Sequence, residues 1–506
     1  MKSGKGGGLP IDVEVMEEGA KISGLSGLLV YADLACVLGV LSSVDDHVGK
    51  GGNQGWMDRH HVLALIMLNL SGGDCVDDIE SLEADAGARE VFRACEMWGL
   101  SRQESRELSR RFRKGRVRSF PSATRIHEFL ETFHDEEQEA LRERGRAFIP
   151  VPNDRLAGLI RVNRDLVLQA GSRYRGKTAT LDIDATLQQT TKQQAMFCYE
   201  GYRAYQPLTA YWHETGLVVH SQFRDVNVPA GYGILAFLKE TVSALPENVS
   251  EVRVRMDCAG YDHSALRWMA TGGDGERDPI LFTVGCPVYE AFRDAAAAVP
   301  ESEWEAIPTP KGEPAQEWAE VLFVPNAIAT EEFEPYRYIA VRERMLHGVL
   351  PGMEEMCSVS DLPFTPVVIS PRSYRLRGIV TNMEGDGLEI IKHPRGRCGK
   401  GEEIHAVMKH DFAGGILPSK RFGANAAWWA IVVLAYNLHA ALSLLTFHKK
   451  LLSRRMKAIR LALISVPALI VNHARRTIFR VPSVFDGLLA GIRTDLMLAT
   501  LAPQPG

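Results

Sequence analysis

The stretch TATLDIDAT, residues 178–186, decides how this chain is read. Its apolar and polar residues alternate, which is the period of a strand with two different faces. Asp182 and Asp184 stand two apart, so on a strand both carboxylates leave the same face. Side-by-side carboxylates are unfavourable unless something cationic compensates them. Residues 217–223, EVRVRMD at 251–257 and LFTVG at 281–285 read as further strands, with a helix over 229–245. The mixture predicts an α/β fold with mixed strand pairing. EVRVRMD ends on Asp257, where a strand opens into a loop. In open α/β sheets, ligands gather at such carboxyl ends.

The flanks differ in character. Residues 1–150 read as helical, with apolar-rich segments at 28–41 and 59–70. Ser122 is placed to cap a helix whose apolar stripe is Ile126, Phe129, Leu130 and Phe133. Residues 101–118 hold eight Lys/Arg against Glu104 and Glu107, either a solvated helix face or a phosphate-contacting segment. Beyond residue 287, strand-like segments at 320–324, 338–342 and 375–380 are separated by Pro- and Gly-bearing loops, as in a β-rich insertion. Trp304 and Trp318 within it read as core residues, with stacking on an unpaired base as the alternative. A helix is expected over 402–412, with Ile404, Val407 and Met408 on one face and Glu402, His405 and Lys409 on another. The apolar run at 426–436 is short of the roughly 20 residues a membrane span needs, and it reads as a buried core helix. Residues 448–480 carry nine Lys/Arg and no acid, which favours contact with DNA phosphates over simple solvation.

A chain of 506 residues suggests about three domains, or one with large insertions. A net charge of -5 excludes a polycation that coats nucleic acid, so any such contact must be local. The opening MKSGKGGGLP has no apolar run of a signal peptide. Eight cysteines without a CxxC pair argue against a zinc ribbon or a disulfide framework, and for a reducing cytosol.

Three longer stretches carry a resemblance: residues 181–208 (LDIDATLQQTTKQQAMFCYEGYRAYQPL), 255–266 (RMDCAGYDHSAL) and 399–438, which begins GKGEEIHAVMK and runs through NAAWW. With SGGDCVDDIESLEADAG at 71–87 and SFPSATRIHEFLETF at 119–133, they resemble bacterial insertion-sequence transposases of the DDE class, from about residue 20 to residue 480. The resemblance implies an α/β, RNase H-like mixed sheet flanked by helices. It also implies a β-rich insertion before the third acid and an all-helical N-terminal region. The corresponding organisation is a helical DNA-binding region (1–150), a linker (151–175), a catalytic core in two parts (176–286 and 391–447), the insertion (287–390) and a basic helical C-terminal region (448–506).

Carried over by position, the acids are Asp184, Asp257 and Glu402, with Asp182 a rival for the first. They would hold two Mg²⁺ ions, with Mn²⁺ as a possible substitute, for in-line phosphoryl transfer. Lys409 follows Glu402 by seven residues, as the lysine of the family's Tyr-Arg-Glu-Lys signature does. The signature's Tyr and Arg fall on Arg395 and Cys398, so Arg397 is taken as the arginine's substitute. Lys409, Arg397, Arg454, Arg455 and Lys457 are the expected DNA contacts. The implied partners are double-stranded DNA (element ends and target) and a second copy of the chain in a synaptic complex, with no membrane, in a bacterial cytoplasm at the nucleoid. The alternatives are a catalytically silent DNA-binding relative and a nuclease that cuts without joining.

Overall fold

The computed structural model describes residues 19–49, 55–112, 118–198, 200–275, 277–310, 312–325, 336–344, 367–369, 372–397, 399–473 and 476–501. Cys398, residues 113–117 of the first basic stretch and much of the insertion lie outside them. The chain divides into two compact units. One comprises residues 135–151 and 163–406; the other comprises 1–134, 152–162 and 407–503.

The first unit is organised by a ten-stranded mixed sheet. Its strands are β1 (Thr178–Ala185), β2 (Leu208–Trp212), β3 (Leu217–Gln222), β4 (Glu251–Met256), β5 (Leu281–Cys286), β6 (Glu305–Ile307), β7 (Gln316–Val321), β8 (Arg337–Arg344), β9 (Val367–Ile369) and β10 (Arg372–Thr381). The spatial order is β6–β7–β8–β10–β5–β4–β1–β2–β3, with β9 beside β10. Only β1–β4 and β4–β5 are parallel; the other pairs are antiparallel. The expected α/β mixed sheet is therefore present. The strand β2 escapes the alternating pattern because all five of its residues are buried. The insertion contributes β6 to β10 and continues the same ladder through β10 against β5. Trp318 packs there with Ile307, Ile339, Val341, Ile390 and Ile391. Helices α1 (Ile234–Ser243), α2 (His263–Ala270), α3 (Gly387–Arg395) and α4 (Lys400–Ala406) complete the parts used below. Parallel strands need such crossover helices, which cover the sheet's faces.

The second unit is mainly helical. Asp58–Ser71 is buried on nearly every side and packs with Leu28–Val37, Ala123–Glu131 and the long helix Phe422–Leu445. Ser122 caps Ala123–Glu131 by accepting from the Arg125 amide, as its sequence implies. Phe422–Leu445 is long and apolar enough to cross a membrane, yet 72% of its most apolar window is buried in the protein. That is the expected core helix.

Three elements depart from the sequence reading. The stretch expected to be a linker contains an 18-residue helix, Asp154–Gly171, whose Leu159, Val162, Leu166, Val167 and Ala170 are buried along one stripe. The C-terminal region is not helical throughout. Ala468–His473 and Arg476–Arg480 pair antiparallel, and Ile22–Ser23 adds a third strand from the N-terminal region that was expected to be all-helical. Alternating exposure of Ala468–His473 lets one face cover Ala86 while the other meets solvent. Finally, the expected single helix over 402–412 is α4 followed by a π-helical turn, Val407–Asp411. The wider turn breaks the 3.6-residue phase that would align Glu402, His405 and Lys409.

Candidate active site

The register Ile183↔Met256 places Asp184 and Asp257 at the carboxyl ends of adjacent parallel strands. Strand alternation puts Asp182 and Asp184 of β1 on the same face as Arg255 of β4, and Asp257 follows directly after β4. Asp257 turns out of the sheet and accepts from the Ala259 amide at 3.0 Å, which caps the short turn Cys258–Gly260. Gly285 of β5 permits this turn: a Cβ there would lie 2.6 Å from the Cys258 amide nitrogen. Asp184 and Asp257 line one cleft with Ile183 and Met256.

Asp184 feels the charge of Asp257. Burial holds the Asp184 carboxyl above its usual range; the Arg397 guanidinium pulls it back, and the charge of Asp257 raises it further. Arg397 Nη1 stands 3.3 Å from Asp184 Oδ1 and donates to the Ile183 carbonyl at 3.3 Å.

Asp182 has a different environment. It is 2% exposed and lies inside the sheet, between β4 and β2, rather than at an edge. Arg255 grips both of its oxygens, through Nε to Oδ1 and through Nη2 to Oδ2 at 2.7 Å. A carboxylate held in this bidentate way is neutralised where it lies.

Gly401 opens α4 against the first strand; a Cβ on it would stand 3.7 Å from Asp184 Oδ2. The inward face of α4 is Gly401, Ile404 and His405, which line a small cavity with Asp182, Asp184, Tyr211 and Arg397. His405 is thus buried beside Ile404 and does not share an exposed face with Glu402. Glu402 and Glu403 are both exposed. On an ideal helix Glu402 borders the inward face and Glu403 lies farther round. The charge of Glu403 nonetheless reaches Tyr211, whose hydroxyl is pushed up to about 12 by burial first and then by Asp182 and Glu403. Among the described residues, no three His, Cys, Asp or Glu side chains converge as a metal site. The structure brings Asp184 and Asp257 together and leaves Glu402 on the exposed side of α4.

The sequence model for the transposase DDE domain, group 1, matches residues 9–312 and 366–487. The chain belongs to this transposase family. The unmatched residues 313–365 fall within the insertion. No curated protein matches the transposase. Among solved structures, the piggyBac transposase synaptic complex with hairpin DNA is similar at 11% identity and a TM-score of 0.41, covering 86% of this chain and 78% of that one.

The remaining basic residues of the transposase divide by burial. Arg454, Arg455 and Lys457 are exposed, whereas Arg460 of the same segment donates to the carbonyls of Leu70, Asn69 and Asp411. Lys409 is half-buried in the π-helical turn, and burial lowers its ammonium pKa. Trp304 and Trp318 are buried, with the Arg342 guanidinium 4.1 Å above the Trp304 ring, so neither offers a face to a flipped base.

Three buried histidines set an acid limit on the transposase. His393 of α3 is lowered to about 4 by burial first and then by the charges of Arg255 and Arg253; His61 and His439 are lowered to about 4 by burial. Each stays neutral in the folded chain down to about pH 4 but takes a proton near 6.5 when unfolded. Their contribution is therefore present above pH 6.5 and is lost as pH falls towards 4. Urea midpoints should drop through this window, and His393→Gln should flatten part of the drop.

Proposed function

We propose that this transposase cleaves DNA at the terminal inverted repeats of an insertion sequence and joins the freed ends to target DNA. One observation carries the reading: Asp184 and Asp257 end adjacent parallel strands in one cleft, where the charge of Asp257 raises the cost of charging Asp184. Nothing in a purely DNA-binding protein calls for paired carboxylates facing a phosphate. The strand order β3–β2–β1–β4–β5, with β2 antiparallel to the rest, supports an RNase H-like core.

The donor set suits a divalent cation, because hard carboxylate oxygens with excess negative charge are only partly offset by Arg397. Asp184 and Asp257, joined by Glu402 from α4, are the residues that would hold Mg²⁺ or its substitute Mn²⁺. A pair of such ions supplies Lewis-acid stabilisation of the attacking and leaving oxygens. Water attacks the phosphodiester at the element's end, the P–O3′ bond breaks, and a 3′-OH is freed while the phosphate stays on the flanking strand. That hydroxyl then attacks a target phosphodiester, exchanging one P–O bond for another. The chain's part is position and charge compensation, which is most of what phosphoryl transfer requires. Arg397 and Lys409 would contact phosphate near the cleaved bond. Two ends must be joined, so the working form is a homodimer on DNA, at the nucleoid of the bacterial cytoplasm.

The test is cleavage of a duplex carrying the DNA that flanks the gene, with Mg²⁺ and with Mn²⁺. A new 3′-OH at the border of matching inverted repeats is expected; no cleavage with either ion would sink the reading. Gly285→Ala gives a geometric check. Its Cβ must displace the Asp257–Cys258 backbone, so cleavage should fall by about 10², while overpacking costs about 1–3 kcal/mol. Cleavage rates beside thermal midpoints would separate the two effects.

A further inference from the structure

We propose that Asp182 and Arg255 are positioning residues that hold the segment bearing Arg397 and Glu402 onto the sheet. The inference rests on the active-site reading above. Beyond its two bonds to Asp182, the Arg255 guanidinium donates through Nη1 to the His393 carbonyl at 2.9 Å, in the last turn of α3. The same carbonyl also accepts from the Gly396 amide, and a cation beside it is favourable at the negative end of the helix. The next turn of chain must pass close by, since a Cβ on Gly396 would lie 2.6 Å from Arg255 Nη1. Arg397 follows at once, bonded to the Ile183 carbonyl and paired with Asp184. Lys400 then starts α4, the helix of Glu402.

A second tie reaches the same point, because Thr283 Oγ1 of β5 lies 2.9 Å from His393 Nδ1. His213 Nδ1 of the β2 side stands 3.0 Å from Arg255 Nη2 and completes the guanidinium's surroundings. One buried arginine thereby links β1, β4 and the end of α3, four residues before Arg397. Stability alone explains this poorly. Burying an ion pair seldom outperforms well-packed apolar residues of similar size. Apolar residues, however, could not donate to the His393 carbonyl.

The double variant Asp182→Leu/Arg255→Met in the full chain uses that difference. It removes both charges, so the sheet is expected to fold, while the tie to α3 is gone. Amide hydrogen exchange at 399–406 should accelerate at least about 10-fold with that at 178–185 unchanged. Cleavage of the flanking-DNA duplex at saturating DNA should fall about 100-fold with binding unaltered. A residue that merely stabilises the fold would instead speed exchange in both segments together. Arg255→Lys, which keeps the charge but loses the fork, should give the same local pattern and should not rescue. It also decides the matter if the double variant fails to fold. Unchanged exchange at 399–406, or wild-type cleavage in a folded variant, overturns the proposal. Asp257→Asn run in parallel keeps the two readings apart. If Asp257→Asn cleaves normally, the active-site reading fails, while the exchange pattern still judges the clamp.

Discussion

Replacing Asp184 or Asp257 by asparagine, or Glu402 by glutamine, is expected to abolish strand cleavage while end binding persists. The amides keep shape and lose the negative oxygen that a divalent cation requires. A loss of at least about 10³-fold, ~4 kcal/mol of barrier, is the scale for a group that acts on the reacting atoms. Asp184→Asn is the most informative of the three. Its carboxyl is held above the usual range, so its ionised form opposes folding at neutral pH, and the thermal midpoint should not fall. Lost cleavage at an undiminished midpoint would then report chemistry. Full activity in the Asp257 variant would sink the mechanism. Asp182→Asn belongs to another class. The sequence alone suggests a mild effect, but the structure leaves Arg255 buried beside an amide, a change that typically costs about 3–5 kcal/mol.

The second large effect concerns Arg454, Arg455 and Lys457, which are exposed on a segment without acids. If all three lie against phosphates, replacing them together by alanine weakens binding to specific and random DNA alike. The log–log salt slope should then shrink by about 0.9 per lost contact, roughly 2.7 in all. Arg460 is left out because its bonds to three backbone carbonyls make it part of the fold. An unchanged slope in a folded variant would move the DNA path elsewhere, with residues 101–118 the next candidates.

What the sequence makes legible follows from local periodicity. β1 and β4 announce themselves by alternation, β5 by a short β-prone run, and the long helix after Gly423 by its unbroken apolar run. β2 stays hidden because both of its faces are buried. Asp182 and Asp184 look alike in sequence because both leave one face; what separates them is Arg255, 73 residues away and visible only through strand register. A signal did exist in EVRVRMD, where an arginine sits two positions before the acid. The helix Asp154–Gly171 is likewise legible in the helical spacing of Leu159, Val162, Leu166, Val167 and Ala170. The paired strands Ala468–His473 and Arg476–Arg480 are hidden in the sequence by arginines, which suit a solvated helix as well as a strand exposed on one side.

The ladder between β10 and β5 has a consequence for how the chain is made. Leu281–Cys286 emerges from the ribosome about a hundred residues before Arg372–Thr381, the strand that pairs with its outer side. At synthesis rates of about 5–20 residues per second, that side stays bare for roughly 5–20 s. An unpaired edge is a template for any other extended chain. A nascent copy is therefore most exposed to mispairing with a neighbour on the same messenger during this interval, before the insertion's last strand arrives.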